Sequence, residues 1–118
     1  MRDKLGFRFA FKGLRLFFSS ERNGRIQGII ALLVIGAGFF FSVSPLEWLA
    51  VLLCIAAVLC LEMVNSAIEK VCNLISMEYH PEIKIIKDIS AAAVLLASIV
   101  SAICAAIIFI PYIIKLFT

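Results

Sequence analysis

Apolar residues run almost unbroken through three stretches of the chain, at 26–43, at 46–61 with a continuation past Glu62, and at 89–114. A bilayer core about 30 Å thick takes roughly 20 helical residues, so each stretch with its flanks predicts a membrane-spanning helix. The second pattern continues to residue 75. At 1.5 Å per residue such a helix would run about 45 Å, longer than the hydrocarbon core, so Glu62 falls near a membrane boundary and Glu69 beyond it. Ahead of the spans, KLGFRFAFKGLRLFFSS at 4–20 sets Lys4, Arg8, Lys12 and Arg15 on one stripe about 80° wide, with Phe and Leu over most of the remainder. That pattern predicts an amphipathic surface helix lying in the interface.

Punctuation between these elements is equally readable. ERNGRIQG at 21–28 turns the chain into the first span, where Gly36 and Gly38 would permit close helix approach. SVSPLEW at 42–48 reads as a tight hairpin, with Pro45 near the next helix start and Trp48 at the interface. SMEYHPEIKIIKD at 76–88 reads as a loop in which Pro81 breaks helix. The third span is then expected at 88–114, with Asp88 available as its N-cap and a small-residue surface just after it. The prediction is an all-α membrane protein of one domain, 1–118, with a surface helix at 4–20 and spans at 26–43, 46–75 and 88–114.

Composition agrees. Hydrophobic residues make up 64% of the 118 and charged residues only 16%, with a mean hydropathy of +1.11. A soluble domain of this size needs more polar cover. No signal peptide is read at the start, where charges are interspersed among aromatics. Seven of the eleven Lys and Arg precede the first span, three lie between the second and third, and the 43–47 turn has none. The positive-inside rule puts the N-terminus and the 70–88 segment in the cytoplasm and the C-terminus outside. A net charge of +3 then speaks for anionic headgroups as partner and against nucleic acid. Cys54, Cys60, Cys72 and Cys104 form no CxxC pair and read as small hydrophobes.

Chemistry concentrates where the second span meets its polar continuation. Glu62, Asn65, Ser66 and Glu69 in LEMVNSAIEK fall within about one third of a helix circumference. Ionisable residues at membrane depth are costly and mark functional sites, although a carboxylate at a helix end can also be merely solvated. Glu62 and Glu69 stand about 10 Å apart along the axis, too far to share a proton but suited to separate roles. Glu21, Glu78, His80, Lys87 and Asp88 gather on the same membrane face. Carboxylates with open positions suit Mg²⁺, which one or two of them hold together with substrate phosphates. These are parts of a phosphoryl-transfer site. GxxxxGK[ST] and GxGxxG are both absent, which excludes P-loop and protein-kinase folds.

EMVNSAIEK (62–70), EYHP (78–81), KD with the small-residue run after it (87–93) and FKGLR (11–15) together resemble the small bacterial integral-membrane lipid kinases, the prokaryotic diacylglycerol kinase and undecaprenol kinase family. The resemblance spans nearly the whole chain. It implies a homotrimer of three-span subunits in the bacterial inner membrane, with a surface helix on each and active sites shared between subunits at the cytoplasmic interface. It further implies ATP as phosphoryl donor, Mg²⁺ as cofactor and a membrane lipid as acceptor. By position, Glu62 would be the general base, and Glu21 and Glu69 would hold Mg²⁺ and nucleotide phosphates. Asn65 would support the site, and Ala91 falls at a lipid-contact position. Glu78, Tyr79, His80, Lys87 and Asp88 match the nucleotide-binding segment, with Phe9 and Arg2 at further ATP- or lipid-contact positions.

Two departures stand out. Asn73 replaces an Asp common in the family, and SAAAV at 90–94 lacks the usual glycine after KD. ERN at 21–23, LEW at 46–48 and YHP at 79–81 resemble the undecaprenol kinase branch more than the enteric diacylglycerol kinases. A non-catalytic oligomeric scaffold or channel, with the acidic face lining a polar seam, is the competing class.

Overall fold

The computed structural model describes residues 4–118 and arranges them as four α-helices with no strand among them: α1 (Lys4–Ser20), α2 (Arg22–Phe40), α3 (Pro45–Ile75) and α4 (Pro81–Leu116). Each of the last three is long and apolar enough to cross a membrane. The protein is an integral membrane protein of the all-α class.

A single residue separates α1 from α2. Glu21 is extended, at φ −96° and ψ 123°, while its N–H still donates to the Phe17 carbonyl at 3.2 Å. The chain reverses onto itself there because Gly24 has no side chain: a Cβ would run into the Phe17 carbonyl. One turn further, the Phe18 ring would lie 3.3 Å from a Cβ at Gly28. Thus α2 starts at Arg22, four residues before the expected 26, and its polar first turn is spent on the bend against α1. It also ends at Phe40, so that 41–44 make the hairpin turn, with Ser42 at φ 51°.

The hairpin holds by local chemistry. Ser44 caps α3, its Oγ accepting from the Glu47 N–H at 3.2 Å while its own N–H donates to Glu47 Oε1 at 2.9 Å, a complete capping box with Pro45 just inside. Trp48 packs where a side chain on Gly38 would stand, its ring carbon only 2.5 Å from such a Cβ. Gly36, by contrast, faces open space. Of the two glycines expected to bring helices together, only Gly38 does so within one copy.

The start of the last helix corrects the sequence reading. Pro81 opens α4 and does not break a helix: at the first helical position its missing N–H is not needed and its fixed φ is already helical. His80 is the N-cap, Nδ1 accepting from the Glu82 N–H at 3.2 Å. The expected loop at 76–88 therefore shrinks to 76–80, and the span expected to begin near 88 runs from Pro81 to Leu116. Asp88 is no cap; its carboxylate accepts from Lys84 one turn earlier, at 2.7 Å.

α3 packs chiefly along α4, α2 along α3, and α1 along α2. All three long helices meet near the hairpin, where Val43, Val51, Ile108 and Phe109 are buried and Phe41, Trp48 and Tyr112 close over them. The Phe41 and Tyr112 rings stack at 5.7 Å, and the Tyr112 hydroxyl donates to Glu47 Oε1 at 2.6 Å. Between the three helices lies an apolar cavity of about 260 Å³, lined by Val34, Ile55, Val58, Ala105 and neighbours. Outward faces keep large apolar side chains exposed, such as Leu32 (71%), Leu53 (70%) and Ile107 (69%). Lipid tails are as apolar as leucine, so this exposure carries no penalty in a bilayer.

Candidate active site

The polar face of α3 runs from a buried residue, Glu62, to half-exposed ones, Asn65, Ser66 and Glu69. Glu62 is only 5% exposed, and its Oε2 has no hydrogen-bond partner among the described residues. Leaving a buried carboxylate oxygen unpaired costs folding free energy, and such a group needs an explanation outside stability. One turn on, Asn65 Oδ1 accepts a 2.6 Å bond from Ser90 Oγ of α4. One further turn brings Glu69, whose Oε2 lies 3.9 Å from Lys87 Nζ of α4. Lys87 itself donates to Asn73 Oδ1 at 2.8 Å. The antiparallel α3–α4 pair thus carries a ladder of polar cross-contacts running from the buried Glu62 level towards the 76–80 turn.

That turn roofs an open cleft. Glu69, Glu78, Tyr79, His80, Lys87, Asp88 and Ala91 line it together, with Met77, Ile83 and Lys84. Seven of the residues singled out from sequence therefore meet in one place, and the early start of α4 is the reason. A helix beginning at Pro81 carries Lys84, Lys87, Asp88 and Ala91 up one side of the cleft in successive turns. A loop over 76–88 would have left Lys84 and Lys87 without that order. Tyr79 is 79% exposed, so its ring is free to meet a planar ligand.

The other expected residues stand apart from the cleft. Glu62 and Asn65 lie farther into α3 and are not in its lining. Glu21, at the α1–α2 break, pairs with Lys70 at 3.2 Å, and Lys70 follows Glu69 in sequence. Phe9 is on α1 and 54% exposed. Arg2 lies outside the described residues.

The sequence does not announce the pairings of Glu21 with Lys70, Asp88 with Lys84, Asn65 with Ser90, or Lys87 with Glu69 and Asn73. Lys84, Lys87, Asp88 and Ala91 recur at three- and four-residue spacing, a signal that would have shown a helix from Pro81 and placed Ser90 on it.

Divalent-metal chemistry can be weighed against this donor set. No cluster of three His, Cys, Asp or Glu among the described residues could hold an ion by itself. Mg²⁺ rarely uses such a cage; it is held by one or two carboxylates plus phosphates and keeps several waters. Glu69, only loosely engaged by Lys87 and open to the cleft, fits that pattern. Glu21 offers a second hard oxygen on exchange of its exposed lysine partner.

Comparison with known proteins bears on this arrangement. The family model described as prokaryotic diacylglycerol kinase matches residues 8–109. The chain is 34% identical over 105 residues to an undecaprenol kinase of Bacillus subtilis, covering 89% of this chain and 85% of that protein. It is 33% identical over 113 residues to a diacylglycerol kinase of Synechocystis, covering 95% and 65%. It is 34% identical over 95 residues to the diacylglycerol kinase of Escherichia coli K12, covering 80% and 78%. The matched region takes in the α1–α2 break, the whole polar face of α3 and the cleft side of α4. A non-catalytic scaffold or channel is thereby set aside: the chain belongs to the prokaryotic diacylglycerol kinase family and is an integral-membrane lipid kinase.

Proposed function

We propose that the protein transfers the γ-phosphoryl group of ATP, in the presence of Mg²⁺, to the primary hydroxyl of a membrane lipid, with undecaprenol as acceptor. The observation that carries this reading is the buried Glu62 carboxylate, its Oε2 without a partner among the described residues, on a membrane-spanning helix whose next turns descend to an open polar cleft. A lipid hydroxyl arriving at headgroup depth meets a base already stripped of water. Nucleotide enters the cleft from the cytoplasm, where Lys87 offers a cation to phosphoryl oxygens and Glu78, Tyr79, His80 and Asp88 contact the remainder of the nucleotide.

Reaction proceeds by in-line attack. As the lipid oxygen bonds to the γ-phosphorus, the bond to the bridging oxygen of ADP breaks and the hydroxyl proton passes to a Glu62 carboxylate oxygen. Glu69 and Glu21 would hold Mg²⁺, which when bound neutralises phosphate charge. Asn65 supports the base, Ala91 lies against the lipid, and Phe9 and Arg2 contribute outer contacts to ligand.

The family resemblance favours a homotrimer with shared sites. Glu21 standing apart from the cleft lining fits a site completed from more than one subunit. The basic stripe of α1 would face cytoplasmic headgroups, and the C-terminus would lie outside. Undecaprenol is preferred on the strength of the Bacillus relative and of ERN, LEW and YHP at 21–23, 46–48 and 79–81. Diacylglycerol is the second acceptor, favoured by the family description and the enteric relative.

Purified protein is given radiolabelled ATP, Mg²⁺ and either lipid in mixed micelles. Labelled undecaprenyl phosphate in excess of phosphatidic acid is expected. Phosphatidic acid as the dominant product would reverse the acceptor assignment, and loss of label transfer on chelation checks the metal requirement.

A further inference from the structure

Ser90 has no place in the scheme above, yet it is one of only two polar or charged residues that are buried among those described, the other being Glu62. A serine inside a helix commonly turns its hydroxyl back to a carbonyl one turn earlier. Ser90 instead reaches across to α3 and donates to Asn65 Oδ1 at 2.6 Å, a short, partly buried bond between the two helices that frame the site. A primary amide has one acceptor oxygen and one NH₂ group with two donors. With its oxygen engaged by Ser90, the amide presents both N–H donors away from that hydroxyl. The chain provides no hydrogen-bond acceptor for them among the described residues.

Three residues before Asn65, one helical turn away, stands Glu62 with its own unpaired Oε2. A donor-only amide edge and an acceptor-only carboxylate therefore stand one turn apart on one face of α3, neither with a partner for those atoms among the described residues. An alcohol fits such a pair, because its oxygen can accept from the amide while its proton is given to the carboxylate. The pair is directional only if the amide cannot rotate to present its oxygen.

We infer that Ser90 is a positioning residue for phosphoryl transfer: its hydroxyl locks the Asn65 amide so that an N–H donor holds the lipid hydroxyl oxygen while Glu62 takes the proton. This rests on the reading of Glu62 as base and Asn65 as its support. Ser90 touches no substrate and acts only through Asn65.

The test is a double-mutant cycle on the full-length protein with steady-state kinetics in both substrates. Ser90→Ala should lower kcat about three- to tenfold, the scale of one neutral hydrogen bond, with the nucleotide KM unchanged. Ser90→Thr, which keeps the hydroxyl, should recover most of the loss. In an Asn65→Ala background, Ser90→Ala should have no further effect, because the group it positions is gone. Melting and gel-filtration profiles are recorded for every variant, and Ser90→Val, which matches the threonine variant in shape without its hydroxyl, repeats the measurement if the alanine variant does not fold. Full turnover in the Ser90 variants alongside a slow Asn65→Ala overturns this inference alone. A Ser90 loss that persists undiminished without Asn65, or that appears as a raised nucleotide KM, also overturns it. Wild-type turnover in Asn65→Ala overturns the support role of Asn65 and this inference with it.

Discussion

The Lys87 ammonium donates to Asn73 Oδ1 at 2.8 Å, whereas the nearest Glu69 oxygen is 3.9 Å from it. A neutral amide, not a carboxylate, is thus the closest partner of Lys87, unlike its cleft neighbour Lys84, which pairs with Asp88. An aspartate at position 73 would compete for Lys87 with a full negative charge. The amide leaves most of the lysine's charge for an anionic ligand and leaves Glu69 weakly paired. Lys87→Met should therefore raise the nucleotide KM by roughly 10- to 100-fold, the range of a lost hydrogen bond to a charged group. Asn73→Asp should weaken nucleotide binding in the same direction but less. Isothermal titration with a non-hydrolysable ATP analogue reads both; unchanged affinity in Lys87→Met would remove the lysine from the phosphate site.

Glu69 and Glu21 carry a separate prediction. Each offers a hard oxygen, and glutamine removes the charge while keeping the shape. Glu69→Gln and Glu21→Gln should each raise the Mg²⁺ concentration needed for half-maximal rate, together with the apparent nucleotide KM. Glu21→Gln should also loosen the tie to Lys70, so Lys70→Met serves as control: it breaks the same ion pair without removing a carboxylate. If Lys70→Met reproduces the full metal defect, Glu21 acts by anchoring the α1–α2 bend.

How far the sequence announced this architecture differs from element to element. The second span is legible to within a residue, because Pro45 marks its start and the apolar run continues past Glu62; the Ser44–Glu47 capping box then fixes that start in the structure. The start of the last helix is hidden in the sequence, because proline suggests a breaker where its position directly after a capping side chain makes it an opener. The α1–α2 turn is expected over 21–28 and is instead the single residue Glu21, because its tightness depends on contact between Phe17 and Gly24, seven residues apart, which no local propensity reports. The acidic ladder of α3 was readable from spacing alone. Its cross-helix partners were not, since Lys87 and Ser90 face α3 only once α4 is known to begin at Pro81.

Two glycines of α2 give a paired stability prediction. Gly38 is buried against Trp48, so Gly38→Ala forces a methyl into the indole and should destabilise the protein by about 1–3 kcal/mol, as overpacking does. Gly36 has nothing within reach of an added Cβ, and alanine there gains roughly 0.5–1 kcal/mol of helix stability. Detergent-solubilised protein should thus melt lower for the first variant and slightly higher for the second. A loss at Gly36 would place that face against another copy of the chain.

Glu62 decides the catalytic reading. A carboxylate 5% exposed with an unpaired oxygen contributes little that a folded membrane helix requires, so its replacement should not harm the fold. Glutamine keeps the volume and can still hydrogen-bond, but it cannot accept a proton from an alcohol at neutral pH. A positioned general base supplies about 10²–10⁴-fold in rate. Glu62→Gln should therefore retain its melting profile and its affinity for a non-hydrolysable ATP analogue, while kcat for lipid phosphorylation falls by about two to four orders of magnitude. The split matters more than the size of the fall. A variant that binds nucleotide normally and turns over slowly has lost a group acting at the reacting oxygen. One that turns over at nearly wild-type rate would hand the proton to phosphate or water, and one that fails to assemble would return Glu62 to a structural role in the α3–α4 pair.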